Sequence, residues 1–180
     1  SIIPRGMAGG YTLHRPDEDK MYISKKCMLE NIVVLLGGRV AEEVIIGDIS
    51  NGASNDIERA TEIARRMVTK YGMSDILGPV AFGQNNEEVF LGKDYNHIRN
   101  YSESVAAQID AEVKRIICDC YDECRKIITE HMDKLHEVAQ YLMKKEKIEG
   151  PAFYAIMEDR DPDEAVKQAE LEETEKKKKD

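Results

Sequence analysis

The sequence has no tryptophan and three phenylalanines, and aromatic residues make up 6% of its 180 positions, so any core must be aliphatic and sulfur-rich. Its four cysteines, Cys27, Cys118, Cys120 and Cys124, are too few for the disulfide framework of a small secreted fold, and a reducing compartment is expected. Long apolar runs are also missing. Those present, such as Ile32 to Leu36, fall far short of the roughly 20 residues that cross a bilayer. No basic-then-apolar leader opens the chain, so a soluble polypeptide is expected. Positive charge is in deficit, with 26 Lys and Arg against 35 Asp and Glu and a net charge of -9. That balance excludes a nucleic-acid platform, which needs a clustered basic face. A glycine-rich phosphate loop with its lysine is absent, which excludes a nucleotide site built from these residues.

What remains is a chain with 42% apolar residues, enough for the core of one domain. Its patterning predicts a mainly α fold. Met28, Leu29, Ile32, Val33, Leu36, Val40 and Val44 recur at helical spacing, in a helix that Ser24 begins. Gly37-Gly38 lies inside it, and each glycine costs about 1 kcal/mol relative to alanine, so the pair predicts either close approach by another element or a local kink. Glu42 and Glu43 fall near the helix's end, where carboxylates oppose the dipole by roughly 0.3 to 1 kcal/mol each; Arg39, one turn back, is the simplest partner. Asn51 to Asn55 reads as a turn with two N-cap candidates, followed by a helix to about Tyr71 whose buried stripe is Ile57, Ala60, Ala64, Met67 and Val68. Asp56 falls in its first turn, a position that the free amides and dipole favour without any further role. Gly72 is placed to end that helix.

Before these helices, Ile2-Ile3 and Tyr11-Thr12-Leu13 are extended pieces separated by a proline- and glycine-rich stretch, which predicts a small β-hairpin or edge strand. His14 reads as a solvated loop residue. Leu77 to Gly83 is too broken by proline and glycine for a central strand, and Val89-Phe90-Leu91 is a brief apolar anchor. From Tyr101 the pattern is long and regular, with Val105, Ile109, Val113, Ile116, Ile117, Cys120, Cys124, Ile127 and Ile128 on one face. A turn near Thr129 to Asp133 would make an antiparallel helical hairpin with the run from Met132 to Met143; a continuous helix is the alternative. Cys120 and Cys124 share the apolar face and read as packing, while His131 and His136 do not stack and read as surface residues. Gly150-Pro151 closes the second run, and Ala152 to Met157 reads as a short helix. Residues 1–158 are thus expected to form the helical domain. Residues 159–180 are almost entirely charged and are expected to form a disordered tail.

Several segments, LLGGRVAEEVIIG, SNGASNDIERATEIARRMVTKYGMS, LGPVAFG and EVFLG, together resemble one family. They are similar to the peptidase domain of FtsH, the membrane-anchored, ATP-dependent zinc metalloprotease, and the similarity runs from Ile2 to Met157. The resemblance implies that Asp56, the aspartate of S-N-D, is the third zinc ligand. It implies that Glu42, the first glutamate of A-E-E, is a carboxylate hydrogen-bonded to a zinc-bound histidine. It makes the stretch around Gly10, Tyr11 and Thr12 an edge that pairs with substrate backbone, against the plain reading of an ordinary hairpin. It further implies a homohexamer, unfolded or membrane proteins as substrates, and ATP bound by an upstream module. The parent would be anchored in the inner or plasma membrane with this domain on the cytoplasmic side.

One departure matters chemically. The family's His-Glu-x-x-His helix, which supplies two zinc ligands and the general base, occurs nowhere in these residues; His136-Glu137-Val138-Ala139-Gln140 fails at its last position. No catalytic residue of that motif is therefore present, and the chain reads as a peptidase domain that begins just behind it. A catalytic zinc needs about three protein ligands, so Asp56 alone is not expected to hold it well. An alternative reading makes the polypeptide a helical assembly module with ring contacts and no chemistry. The purified 180-residue chain is expected to leave an unfolded protein uncut in the presence of zinc. Zinc-dependent fragments, seen by mass spectrometry and abolished by a chelator, would overturn that expectation.

Overall fold

A computed structural model describes residues 1–6, 9–13, 22–83 and 101–176; His14 and the anchor Val89-Phe90-Leu91 lie outside the described residues. The chain divides into two compact units, Lys20–Thr129 and Ser1–Asp19 with Glu130–Asp180.

In the first unit, α1 (Lys25–Ile46) starts where Ser24 holds an extended backbone and its hydroxyl accepts the Cys27 N–H at 3.2 Å. It stops at Gly47, whose φ of 72° turns the chain into the left-handed region while its N–H donates to the Glu43 carbonyl. Met28, Ile32, Leu36 and Val40 are its buried stripe. Nothing lies within 4 Å of a Cβ built on Gly37 or Gly38, so the expected close approach is not present among the described residues. The pair sits between Leu36 and Val40, off the buried stripe, where no neighbour requires a bare backbone.

Helix α2 (Ser54–Thr69) packs against α1 and buries Ala60, Ala64, Met67 and Val68. It begins one residue earlier than the turn signals imply. Ala53 occupies the cap position without a side-chain bond, and both polar cap candidates, Ser54 and Asn55, lie inside the helix. At the far end Gly72 has φ 57° and the Met73 N–H reaches back to the Met67 carbonyl at 2.8 Å, turning the chain out of the helix. A Cβ at Gly72 would also lie 2.9 Å from the Pro79 Cα, so glycine is required there by conformation and by space.

Helix α3 (Glu103–Glu130) adds Ile109, Val113, Ile116 and Cys120 to the core that α1 and α2 form. Cys120 and Cys124 are buried, and burial pushes both thiols up from their ordinary range, as packing residues require. Among the described residues of this unit one charge is buried. Glu112 is 2% exposed and is satisfied by the Ser74 hydroxyl at 2.8 Å and the Arg115 guanidinium at 2.9 Å. The Ser74 oxygen in turn accepts the Ile76 and Leu77 amides, so the carboxylate on α3 fixes the turn after α2.

In the second unit the expected hairpin or edge strand is not found; no strand occurs among the described residues. Ser1 and Tyr11 exchange two hydrogen bonds at 2.9 Å, but the ladder goes no further. The Ile3 N–H, the next donor on the paired side, turns back onto the Ser1 hydroxyl, while the Ile2 N–H, on the opposite side, donates to the Glu146 carbonyl. Helix α4 (Met132–Lys145) follows a break at His131, which has non-helical φ and ψ of −120° and 35°. The open alternative of one continuous helix is therefore not what the chain adopts. His131 and His136 are exposed.

Helix α5 (Gly150–Met157) buries Ala152, Ala155 and Ile156. Its end is held by Lys134 of α4, a lysine only 8% exposed, which donates to the Ile156 carbonyl at 2.8 Å and pairs with Asp159 and Glu137. The charged segment expected to be disordered instead forms α6 (Pro162–Lys176), which packs on α5. Asp161 caps it, its carboxylate accepting the Asp163 and Glu164 amides at 2.8 and 2.9 Å, with Pro162 in the first turn. Pro162, Ala165, Val166 and Ala169 are half-buried at helical spacing. Composition hid that stripe because its members are small and outnumbered by charges.

Ile32, fully buried in α1, and Val34, 76% exposed on the same helix, separate packing from propensity. Ile32→Ala is expected to lower stability by about 2 to 5 kcal/mol, and Val34→Ala by no more than about 0.5, in urea unfolding followed by circular dichroism. Equal losses at the two sites would contradict this packing.

Candidate functional site

Glu42 lies near the end of α1 and Asp56 in the first turn of α2, with the loop from Gly47 to Ala53 between the two helices. Two adjacent carboxylates close α1, with no basic residue in its last turn to offset the dipole. Their compensation comes from outside the helix. Glu42 accepts the Ser50 amide on Oε2 at 3.1 Å and the Ser50 hydroxyl on Oε1 at 2.7 Å. These two bonds, hydroxyl first, hold its carboxyl below the usual glutamate range, with a smaller contribution from the positive Arg39. Arg39, the partner expected from spacing, makes its hydrogen bond to the Ser50 carbonyl at 2.8 Å, so it acts on the same loop residue as Glu42.

Glu43 faces α3. The Tyr121 hydroxyl donates to its Oε2, and Arg125 Nη2 reaches both oxygens at 2.8 and 3.0 Å. The Arg125 guanidinium also lies over the Tyr121 ring, 5.4 Å from its centre. The tyrosine bond first, and then the arginine, lower the Glu43 carboxyl, while burial drives the Tyr121 phenol upward.

Asp56 stands in the first turn of α2 with its side chain 47% exposed. Among the described residues its charged neighbour is Arg59, at 3.7 Å, too long for a hydrogen bond. Its oxygens thus remain available to a further partner, and a carboxylate is an ordinary zinc donor. The fit is to one ligand of a set. Among the described residues no group of three or more His, Cys, Asp and Glu side chains could hold a metal.

Gly10, Tyr11 and Thr12 belong to the second unit. Within that unit the Tyr11 N–H and carbonyl are engaged by Ser1, and a Cβ at Gly10 would meet the Ser1 carbonyl at 2.7 Å. A groove of about 660 Å³ in the first unit, floored by Leu29, Val33, Met67, Met73, Ile116 and Cys120, includes neither Glu42 nor Asp56. Sequence reasoning passed over Ser50, Tyr121 and Arg125. An isolated serine in a loop carries no pattern, and the other two are i, i+4 on a helix some 80 residues away in sequence, where only folding reveals the contact with Glu43.

The sequence profile of Peptidase family M41 matches residues 1–156, and the chain belongs to that family. It is 57% identical over 161 residues to the ATP-dependent zinc metalloprotease FtsH 1 of Thermoanaerobacter sp. (strain X514), covering 89% of this chain and 26% of that protein. It is 52% identical over 158 residues to the ATP-dependent zinc metalloprotease FtsH of Thermotoga maritima, covering 87% and 26%. With the FtsH of Bacillus subtilis the identity is 52% over 151 residues, covering 83% and 24%. The chain thus spans about a quarter of the length of these relatives. No described helix is long and apolar enough to cross a membrane.

Because the folded Glu43 carboxyl is held below its unfolded value of about 4.3, the unfolded chain takes up that proton first as pH falls. Its contribution is present above the unfolded value and is lost as pH drops through the folded one. Tyr121→Phe is expected to move the Glu43 midpoint upward in an NMR carboxyl titration. An unmoved midpoint would exclude the tyrosine as the main cause.

Proposed function

We propose that this chain is part of an ATP-dependent zinc metalloendopeptidase, in which Asp56 supplies the third zinc ligand and Glu42 accepts a hydrogen bond from a zinc-bound histidine. The reading is supported by a half-exposed aspartate in the first turn of α2 and by a glutamate near the end of α1 that Ser50 anchors through both oxygens. Family membership and the names of the relatives support it. The other ligands and the general base are not among these 180 residues, and no step of peptide cleavage is assigned to the residues present. Zinc in such a site polarises the scissile carbonyl and lowers the pKa of bound water.

The same reading extends to the rest of the protein. Unfolded or membrane proteins are its substrates, ATP is bound by another module, and the subunits assemble as a homohexamer anchored in the inner or plasma membrane with this domain on the cytoplasmic side. Within the chain, residues 1–158 form the peptidase part and residues 159–180 an appendage to it. Gly10, Tyr11 and Thr12 remain candidates for contact with substrate backbone. The reading of the chain as an assembly module alone has no observation of its own in its favour.

In a longer protein that carries these residues together with a His-Glu-x-x-His helix, Asp56→Ala is expected to remove zinc and abolish peptidase activity while circular dichroism shows the helices intact. Zinc retained at wild-type stoichiometry in metal analysis would show that the ligand is another residue.

A further inference from the structure

We propose that α6 is a hinged strap over α5, closed by an ionic clasp between Asp163 and Lys145 and opened by salt. The proposal is independent of the metal reading, because every residue in it belongs to the second unit.

What lies under the strap is an apolar helix. After its first glycine, α5 reads Pro151-Ala152-Phe153-Tyr154-Ala155-Ile156-Met157, with no charged residue. A helix of that composition needs cover on more than one side. Ala152, Ala155 and Ile156 are buried, whereas Phe153, Tyr154 and Met157 stay 40 to 60% exposed. Helices α4 and α6 supply the cover, each packing on α5.

The two covers are held differently. On the α4 side the buried Lys134 ammonium sits on the Ile156 carbonyl at 2.8 Å. On the other side no described residue of α6 is buried. Its stripe, Pro162, Ala165, Val166 and Ala169, is half-buried and offers little area, and apolar burial stabilises in proportion to area. Its polar links to α4 converge on one carboxylate, since Asp163 Oδ1 meets the Lys145 ammonium at 3.1 Å and the Tyr141 hydroxyl at 3.4 Å. Beyond Asp163, no hydrogen bond or ion pair among the described residues joins α6 to another element. Both partners of the ion pair are about half exposed, so dissolved ions reach and screen it.

The connection to α5 is firm by contrast. The Arg160 N–H donates to the Ala155 carbonyl at 2.8 Å, and Asp159, at φ 56°, donates its N–H to Ile156. Asp161 caps α6 from the helix's own side. The pivot therefore falls at Asp161, between an anchored turn and a self-capped helix. The family profile matches residues 1–156 and ends ahead of this pivot, which leaves α6 outside the matched domain. A segment with few buried contacts and a single clasp opens locally at less cost than the whole unit unfolds. Opening bares the covered side of α5.

The test is hydrogen–deuterium exchange of the full 180-residue chain, read by mass spectrometry at low and high sodium chloride. Salt is expected to speed exchange in α6 by about two- to five-fold, the range of an exposed ion pair, while α1, α2 and α3 stay unchanged. Lys145→Gln is expected to give the fast exchange already at low salt and to remove most of the salt response. Lys145→Arg, which keeps the charge, is expected to behave as wild type. Lys147→Gln makes the same charge change beside Glu149, away from the clasp, and is expected to leave α6 as it was. Wild-type exchange in Lys145→Gln, or an equal rise in Lys147→Gln, would overturn the clasp. Exchange that rises equally in α4 would show the unit opening as a whole and overturn the strap. So would α6 amides that exchange at low salt as fast as an unfolded chain, or that ignore salt altogether.

Discussion

The close seating of α1 on α2 is the constraint on which the rest of the first unit depends. Ala60 and Ala64 are both fully buried, and their small side chains let the two helices approach while Met67 and Val68 fill the space beyond. Larger residues at those alanines would push the helices apart. Their separation also governs the loop between them, because seven residues from Gly47 to Ala53 must return the chain from one helix to the other. Glu42 meets that loop through Ser50, and Asp56 follows it in the first turn of α2. The acidic chemistry is thus positioned by packing of apolar residues that carry no chemistry.

The charges follow a related logic. Carboxylates at a helix's C-terminal end are unfavourable unless cations or donors meet them, and both glutamates there are met, Glu42 by a loop and Glu43 by α3. Placing two costly groups side by side, each with its own set of partners, ties three elements together at one point. Glu112 repeats the device at the other side of the core, joining α3 to the turn after α2 through Ser74. In each case a carboxylate kept ionised by its donors acts as a fastener between elements that apolar contact alone would leave free to slide.

Much of this was legible in the sequence, for reasons that are physical. The stripes of α1, α2 and α3 could be read because large aliphatic residues at helical spacing leave few other solutions. Ser24 and Gly72 could be read because capping chemistry is local. Asp56 and Glu42 were reached by resemblance, since spacing alone gave Asp56 a sufficient role as a first-turn residue. The failures lie where local pattern and long-range contact disagree. Ile2-Ile3 and Tyr11-Thr12-Leu13 have strand composition, but the Ile3 donor turns back onto the Ser1 hydroxyl and the Ile2 donor goes to the Glu146 carbonyl, 144 residues on. The α6 segment looked too charged to fold, yet four small or proline residues and an aspartate cap suffice once α5 offers a surface. Lys134 would be placed on the surface by any composition rule, and it is buried because three oxygens surround its ammonium.

That lysine has a consequence for how the chain can vary. An ammonium group seated on the Ile156 carbonyl and on Asp159 fixes the length of chain between α4 and the end of α5, and residues added or removed between Lys134 and Ile156 would pull the cation off its seat.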